Sequence, residues 1–569
     1  MDETAKPTPP NRAWLPFAWI IAASALAHLW CLGSVFFLDD APAIRQNPVL
    51  LTGRFWEKGM NALTYLGYFI QHRLFGLSAP GFHAVNWLLH TAVACVLFAL
   101  GRDLLNDRER WRVALFGALL FAVHPLASEI PNYARTQDLA WVTLFSLLAS
   151  WALLRFLRDG DWKKLLACTI FMLGAAFSKG PGLLHALIMT GVVGTAFLSP
   201  QSRSLLRRHA GLLSGAALLG LLLLWWSGAL AKFMAGTGEW SEPRTIGHAY
   251  TLSRVFWEFA WRSVVPVSLS ADHQIAETLI PAGAKFWNIP DHGAIWAAAG
   301  FLAITVFTVF LAWRKSTRLV GVCLFLYVAS ILFRLLYPIP EFMPEYRIYP
   351  GLPWFCLGAA IVLAAAWRFL FEAASPAIPA AILLGVFALL SAKRSFVWHD
   401  LDTLTADILR RYPARARAVW ELDDRDVAAQ NWQAVIDRQE KLWPQVEKSF
   451  VEQNKRLAPA RELPSGDFVL AMVAHIGRYA LALSHTQSPA VGMRVMAQLE
   501  AHMKLMRMEP KTKPLEWGYF YYNKALILEM AGNDQAAIGL LRQKGVPEFG
   551  RKDLARIEKK LAGKAAENR

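Results

Sequence analysis

Charge is scarce in this chain, and the shortage excludes a good deal. Asp, Glu, Lys and Arg make up 18% of the 569 residues, where a soluble globular protein carries about 25%. With 55% hydrophobic residues and a mean hydropathy of +0.30, most of the length is unsuited to a purely aqueous fold. Cysteine is equally sparse. Cys31, Cys95, Cys168, Cys323 and Cys356 are odd in number, lie in apolar stretches and lack ligand spacing, so neither a disulfide framework nor a thiolate metal site is expected. The first apolar run, Trp14 to Phe37, lacks the small-residue cleavage site of a signal peptide and is expected to be retained as a span. Cations are rare in every second loop, so the formal charge of +16 reflects membrane topology and not nucleic-acid binding.

What is present is a succession of apolar runs. After the first span they fall near 82–100, 112–124, 138–157, 165–178, 182–198, 210–234, 293–313, 318–337, 350–371 and 377–392, about eleven spans by length and hydropathy. Pro125 and Gly180-Pro181-Gly182 interrupt this pattern, as in broken spans that line a polar cavity. The part of the first large loop from Met60 to Phe75 reads as an interfacial amphipathic helix. The basic clusters are Arg102/Arg108/Arg110/Arg112, Arg155/Arg158/Lys163/Lys164, Arg203/Arg207/Arg208, Arg314/Lys315/Arg318 and Arg368, and all fall on one side if the N-terminus is cytoplasmic. The intervening loops then face outward. Residues 398–569 lack a further span, are rich in Ala, Arg and Glu, and carry a weak internal echo. Asn431-Trp432-Gln433-Ala434-Val435-Ile436 returns as Asn533-Asp534-Gln535-Ala536-Ala537-Ile538, 102 residues on and three times a 34-residue repeat period. The expected fold is therefore all-α: a polytopic bundle over 1–397, with an outer loop at 38–80, and a soluble helical, tetratricopeptide-like domain over 398–569.

The outward loops hold the reactive groups. Asp39-Asp40 directly follows an apolar span, where acids are costly to place and easy to use. Two like charges this close tend to push one pKa upward, which suits a base, and the same pair suits a hard cation such as Mg or Mn; the two roles stay open, with no cofactor certain. His124, Glu129, Arg135 and Asp138 share the next outer loop, and Lys179 follows a span directly. Glu345, Arg347 and Tyr349 lie in a late outer loop, where a guanidinium suits a phosphate bidentately. His273, beside Asp272 in the long loop, is a further candidate, and His83, Asn86 and His90 share one helix face, where interhelical hydrogen bonding is the simpler role. This inventory suits a reaction joining a membrane-borne lipid phosphate donor to a hydroxyl, which needs a carboxylate for the acceptor proton and cations for the departing phosphate.

These segments occur in the order found in the GT-C superfamily of polytopic glycosyltransferases, which the chain resembles. More narrowly it resembles bacterial membrane proteins with C-terminal tetratricopeptide repeats and the transmembrane and tetratricopeptide-repeat O-mannosyltransferases. The resemblance runs from Asp39-Asp40 with Ile44 and Asn47, through Leu74-Phe75-Gly76-Leu77 with His83, Asn86 and His90, to Phe121-Ala122-Val123-His124-Pro125 with Glu129, Arg135 and Asp138. It continues in Glu345-Tyr346-Arg347-Ile348-Tyr349-Pro350 and in Arg394 with Trp398, Asp400 and Pro413. Ser178-Lys179-Gly180 departs from it by lacking an acid after the lysine. The resemblance implies an inner-membrane enzyme of a bacterium with a periplasmic C-terminal domain. It further implies inverting transfer of a sugar from a polyprenyl-phosphate donor to a secreted protein, such as the Ser/Thr of a type IV pilin. One first-loop Asp would act as base or metal ligand, and the arginines would hold the lipid phosphate. A glycolipid or surface polysaccharide acceptor, and a non-catalytic transporter or scaffold for lipid-linked substrates, are the alternatives.

The topology gives a first test. A reporter fused after Arg569 should be active only outside the cytoplasm, and cytoplasmic activity there refutes the odd span count.

Overall fold

A computed structural model of the chain describes residues 14–105, 110–211, 246–275, 291–336, 342–371, 375–413, 415–460, 466–505, 508–511, 514–547 and 550–567, with positions 214, 215, 218, 220, 222, 225 and 278. Among the described residues every regular element is helical and none is a strand, so the expectation of an all-α fold holds. The chain divides into two compact units. The first comprises Met1–Ala271, Gly293–Ile339 and Met343–Asp400; the second comprises Asp272–His292, Pro340–Phe342 and Leu401–Arg569.

The first unit is a polytopic helical bundle. Its longer helices are α1 (Leu15–His28), α2 (Ala62–Phe75), α3 (Ala79–Leu105), α4 (Trp111–Ala122), α5 (Gln137–Asp159), α6 (Trp162–Ser178), α7 (Gly182–Ala196), α8 (Ile246–Val264), α9 (His292–Trp313), α10 (Arg318–Leu336), α11 (Leu352–Phe371) and α12 (Ala377–Val397). Among the described residues six helical stretches are long and apolar enough to cross a membrane: Leu15–Gly33, Ala79–Leu105, Ala134–Asp159, His292–Trp313, Leu352–Phe371 and Ala377–Val397. The 27 residues of α3 reach about 40 Å at 1.5 Å per residue, more than a hydrocarbon core of about 30 Å. A seventh span is bent: Trp111–Ala122 continues into Pro125–Asn132 at 53°. The bend falls where Pro125 cannot donate to the helical ladder. Gly182–Ala196 and Arg318–Leu332 are shorter apolar helices. The expected run at 210–234 lies mostly outside the described residues.

The two ends of the bundle differ in chemistry. At one end Asp103 of α3 accepts hydrogen bonds from Trp151 Nε1 and Arg155 Nε of α5, both at 2.8 Å, among the basic residues of that end. At the other end small polar residues join the chain's distant segments. Ser34 Oγ donates to Asn132 Oδ1 at 2.8 Å, and Asn132 Nδ2 reaches Ser395 Oγ at 3.0 Å. The Gly180-Pro181-Gly182 break separates α6 from α7 at this same end and sets the position of Lys179. The backbone of Gly182 lies against the carbonyl of Ala175, leaving no room for a Cβ.

The second unit contains α13 (Leu401–Arg411), α14 (Trp420–Ala428), α15 (Trp432–Ala460), α16 (Gly466–Thr486), α17 (Pro489–Leu505), α18 (Pro514–Met530), α19 (Asp534–Leu541) and α20 (Gly550–Glu567). Successive helices pack by an apolar core that includes Met472, Ile476, Met496, Leu499, Trp517 and Phe520. Both copies of the internal echo start helices. Trp432 opens α15, and the Asn533 side chain caps α19 by accepting from the Ala536 N–H at 3.2 Å.

Gly182→Ala should lower the thermal stability of the detergent-solubilised protein, because its methyl group meets main chain that cannot retreat. An unchanged melting temperature would show that α6 and α7 separate freely.

Candidate active site

The site is assembled by the loop that follows the first helix. After the first helix the backbone turns sharply, with Leu38 at φ 44°, and a short wide turn of helix over Ala41–Arg45 follows the two acids. This fold separates the neighbours. Asp40 is 0% exposed, and its two carboxylate oxygens accept the N–H of Phe37 at 2.9 Å and of Arg135 at 2.6 Å. Burial holds its carboxyl well above the ordinary carboxylate range, although both N–H groups favour the ionised form. Asp39 is only half-buried, and its backbone N–H donates to the Tyr133 hydroxyl at 3.1 Å.

Arg135 ties this loop to the next. While its N–H holds Asp40, its Nη1 pairs with Asp138 Oδ2 at 2.8 Å. Lys179 Nζ bonds to the same oxygen. Burial, with the charges of Arg347 and Arg135, pushes the Lys179 amine down to about 8 against the pull of Asp138. Arg347 is close enough for its charge to act on both Asp138 and Lys179, and its guanidinium lies 5.0 Å from the centre of the Tyr346 ring. Three cations from three distant segments thus surround one buried carboxylate, leaving a net positive locus beside two further acids.

Glu129 and Glu345 lie behind this locus. Glu129 Oε2 accepts the Tyr346 N–H at 2.8 Å, and Glu345 Oε1 accepts the Ser270 N–H at 2.7 Å. They fix the loop that carries Arg347. His124 is a joint within the bundle: Nε2 lies 3.0 Å from the Ser263 carbonyl, and Nδ1 accepts the Leu126 N–H, which sets the tautomer. Tyr349 is buried with its hydroxyl 3.0 Å from His90 Nδ1. His273 falls in the second unit, its Nδ1 2.7 Å from the Tyr412 hydroxyl, beside a bidentate pair between Asp272 and Arg415. His83 and Asn86 bond to the carbonyls of Pro131, Ile130 and Tyr133, and so hold the Arg135 loop from below.

Tyrosines add what motif reading passes over. Tyr68 donates its hydroxyl towards the carbonyls of Ala134 and Arg135, at 3.2 and 3.1 Å. Tyr65 lies beside it, 5.6 Å between ring centres, and Tyr133 packs on Trp398 at 5.7 Å. Their sequence signal is slight: Tyr65 and Tyr68 share a helix face at i and i+3, and Tyr133 lies inside the loop already singled out.

Among the described residues no group of three or more His, Cys, Asp or Glu side chains converges as a metal site, and both oxygens of Asp40 are engaged by backbone N–H groups. A hard cation seeks about six oxygen ligands. No step below is routed through a metal.

Residues 66–226 match a family described as dolichyl-phosphate-mannose-protein mannosyltransferase. The matched segment contains Arg135, Asp138 and Lys179. Among individual proteins, the chain is 24% identical over 372 residues to protein O-mannosyl-transferase F38B6.6 of Caenorhabditis elegans, covering 60% of this chain and 50% of that one. It is 29% identical over 208 residues to protein O-mannosyl-transferase Tmtc1 of Drosophila melanogaster, covering 33% and 23%. With human protein O-mannosyl-transferase TMTC1 it shares 33% identity over 132 residues, covering 20% and 15%. The chain thus spans half or less of the curated relatives it matches. These similarities agree with the GT-C resemblance read from the ordered motifs.

Removing the shared carboxylate should be costly. Asp138→Ala leaves Lys179 and Arg135 without their anion and should destabilise the fold by about 3 kcal/mol, read as a fall in melting temperature larger than that of Asp138→Asn. Equal, small falls for both would show that the three charges are not coupled.

Proposed function

We propose that the first unit is a membrane glycosyltransferase that moves a sugar, mannose by analogy with the relatives, from a polyprenyl-phosphate carrier to a hydroxyl of a protein acceptor. The observation that carries this reading is the junction at Arg135, which sets the acid pair of the first loop beside Asp138, Lys179 and Arg347. The acceptor hydroxyl oxygen attacks C1 of the sugar, the C1–O bond to phosphate breaks, and the electron pair leaves with the lipid phosphate. The proton passes to a carboxylate. Asp39 suits that task, being half-buried at the loop surface, while Asp40 is occupied in holding the loop to Arg135. One displacement of this kind inverts C1. Arg347, Arg135 and Lys179 offset the charge on the departing phosphate, with the guanidiniums suited to paired phosphate oxygens.

In this reading the end of the bundle that holds the site lies on the outer face of a bacterial inner membrane, a side that the positive-inside pattern supports, and the helical unit is the part that meets the acceptor. Secreted proteins with Ser or Thr acceptors, pilins among them, are the substrates of choice in this reading. A transporter would have no need of an acid held beside these three cations.

Asp39→Asn should lower kcat about 100-fold or more with little change in the KM for donor, measured by mannosyl transfer in membranes. Asp40→Asn should also abolish transfer, by placing an amide N–H against backbone N–H groups and releasing the Arg135 loop. Arg347→Ala should raise the donor KM more than the acceptor KM. Full activity in both aspartate variants overturns the enzyme reading.

A further inference from the structure

The end of the bundle remote from the site carries a basic locus that the transfer chemistry does not use. Helix α5 has Asp138 in its first turn and Phe156 and Leu157 in its last, about 30 Å further along its axis. Against that last turn lies a short helix, Pro200–Arg208, which follows α7. Ser199 caps it by accepting the Ser202 N–H at 3.0 Å, and the Ser202 hydroxyl donates to the Leu157 carbonyl at 2.9 Å. Leu205 and Leu206 pack with Phe156, Leu157 and Leu165. Gly160, at φ 74°, keeps the approach close, since a Cβ there would stand 2.8 Å from the Leu205 side chain.

Fastening the helix by this apolar side leaves its arginines on the other. Arg203, Arg207 and Arg208 are exposed, as is Lys163 in the first turn of α6, and none of them meets a carboxylate among the described residues. The acids of this end are already engaged: Asp159 pairs with Lys164, Asp103 with Arg155 at 2.8 Å, and Asp161 caps α6 by accepting the Lys163 N–H at 3.0 Å. A topology signal needs only cations in a loop; it does not need them mounted on a capped and fastened helix. Beside them α6 turns an apolar line outward. Trp162, Leu166 and Ile170, four residues apart, are 52%, 41% and 55% exposed. In a membrane bundle such a line faces acyl chains, and a tryptophan at its end sits at headgroup level. The arginines therefore stand where chains end and headgroups begin. A guanidinium meets a phosphate through paired oxygens, whereas a zwitterionic lipid brings its own cation to oppose that contact.

We infer that this corner of the bundle binds an anionic phospholipid, with the headgroup phosphate on Arg203, Arg207 and Arg208 and an acyl chain along Trp162, Leu166 and Ile170. The inference does not rest on the transferase reading. Native mass spectrometry of the full chain in a neutral detergent should show palmitoyl-oleoyl phosphatidylglycerol binding about tenfold more tightly than phosphatidylcholine with the same chains. Changing Arg203, Arg207 and Arg208 together to Gln should erase that preference, and changing all three to Lys should keep it. Changing Arg314, Lys315 and Arg318 to Gln removes as much charge from another basic loop and should leave the preference as in the wild type. Dihexanoyl phosphatidylglycerol, which has the headgroup but little chain, should bind about tenfold more weakly or worse. Equal binding of the two long-chain lipids, equal losses in both glutamine variants, full affinity for the dihexanoyl lipid, or displacement of phosphatidylglycerol by inorganic phosphate would overturn the assignment.

Discussion

The hydrogen bond from the Arg135 backbone to the buried Asp40 is the constraint on which the first unit's site depends. It is a 2.6 Å link between segments 95 residues apart. The same residue uses its side chain on Asp138, so one arginine fixes the acid loop and the cation cluster together. A backbone donor is well suited to this duty. It cannot rotate away as a side chain can, and its position is set by the helix turn that carries it. Tyr68 beneath it donates towards two carbonyls of the same turn, those of Ala134 and Arg135, and so helps to satisfy its buried polar groups.

This arrangement explains how two adjacent carboxylates acquire different characters. Asp40 is desolvated and gripped by main chain, while Asp39, one residue earlier, stays near the surface. Neither burial nor function distinguishes them in composition; the positive φ at Leu38 and the wide turn after Asp40 do. The cations follow a similar logic. Lys179 and Arg135 could not be held in an apolar surrounding singly, and Asp138 makes their joint placement tolerable. Three positive groups around one anion leave positive charge to spare at this end of the first unit.

Much of the architecture is legible from residue order. Apolar run length sets the α3, α5, α11 and α12 spans, Pro125 marks the bend, and Gly180-Pro181-Gly182 marks the break that positions Lys179. The ordered acid and basic motifs also point to Asp40, Arg135, Asp138, Lys179 and Arg347 as neighbours. Roles within that set are less legible, because they depend on which oxygen meets which N–H. His124 and Tyr349 show the difficulty: both stand in loop motifs between apolar runs, yet their polar atoms are spent on Ser263, Leu126 and His90 inside the bundle. His273 belongs by packing to the second unit, a long-range outcome that local spacing does not encode.

The pairing of Asp272 with Arg415 has an architectural consequence. Asp272 and His273 are bracketed in the chain by bundle helices, yet they pair with Arg415 and Tyr412, which follow Leu401. The helical unit is therefore not an appended cassette. Grafting it elsewhere by cutting near residue 400 would strip Arg415 of the Asp272 carboxylate, so a portable version of the unit has to bring Asp272 with it.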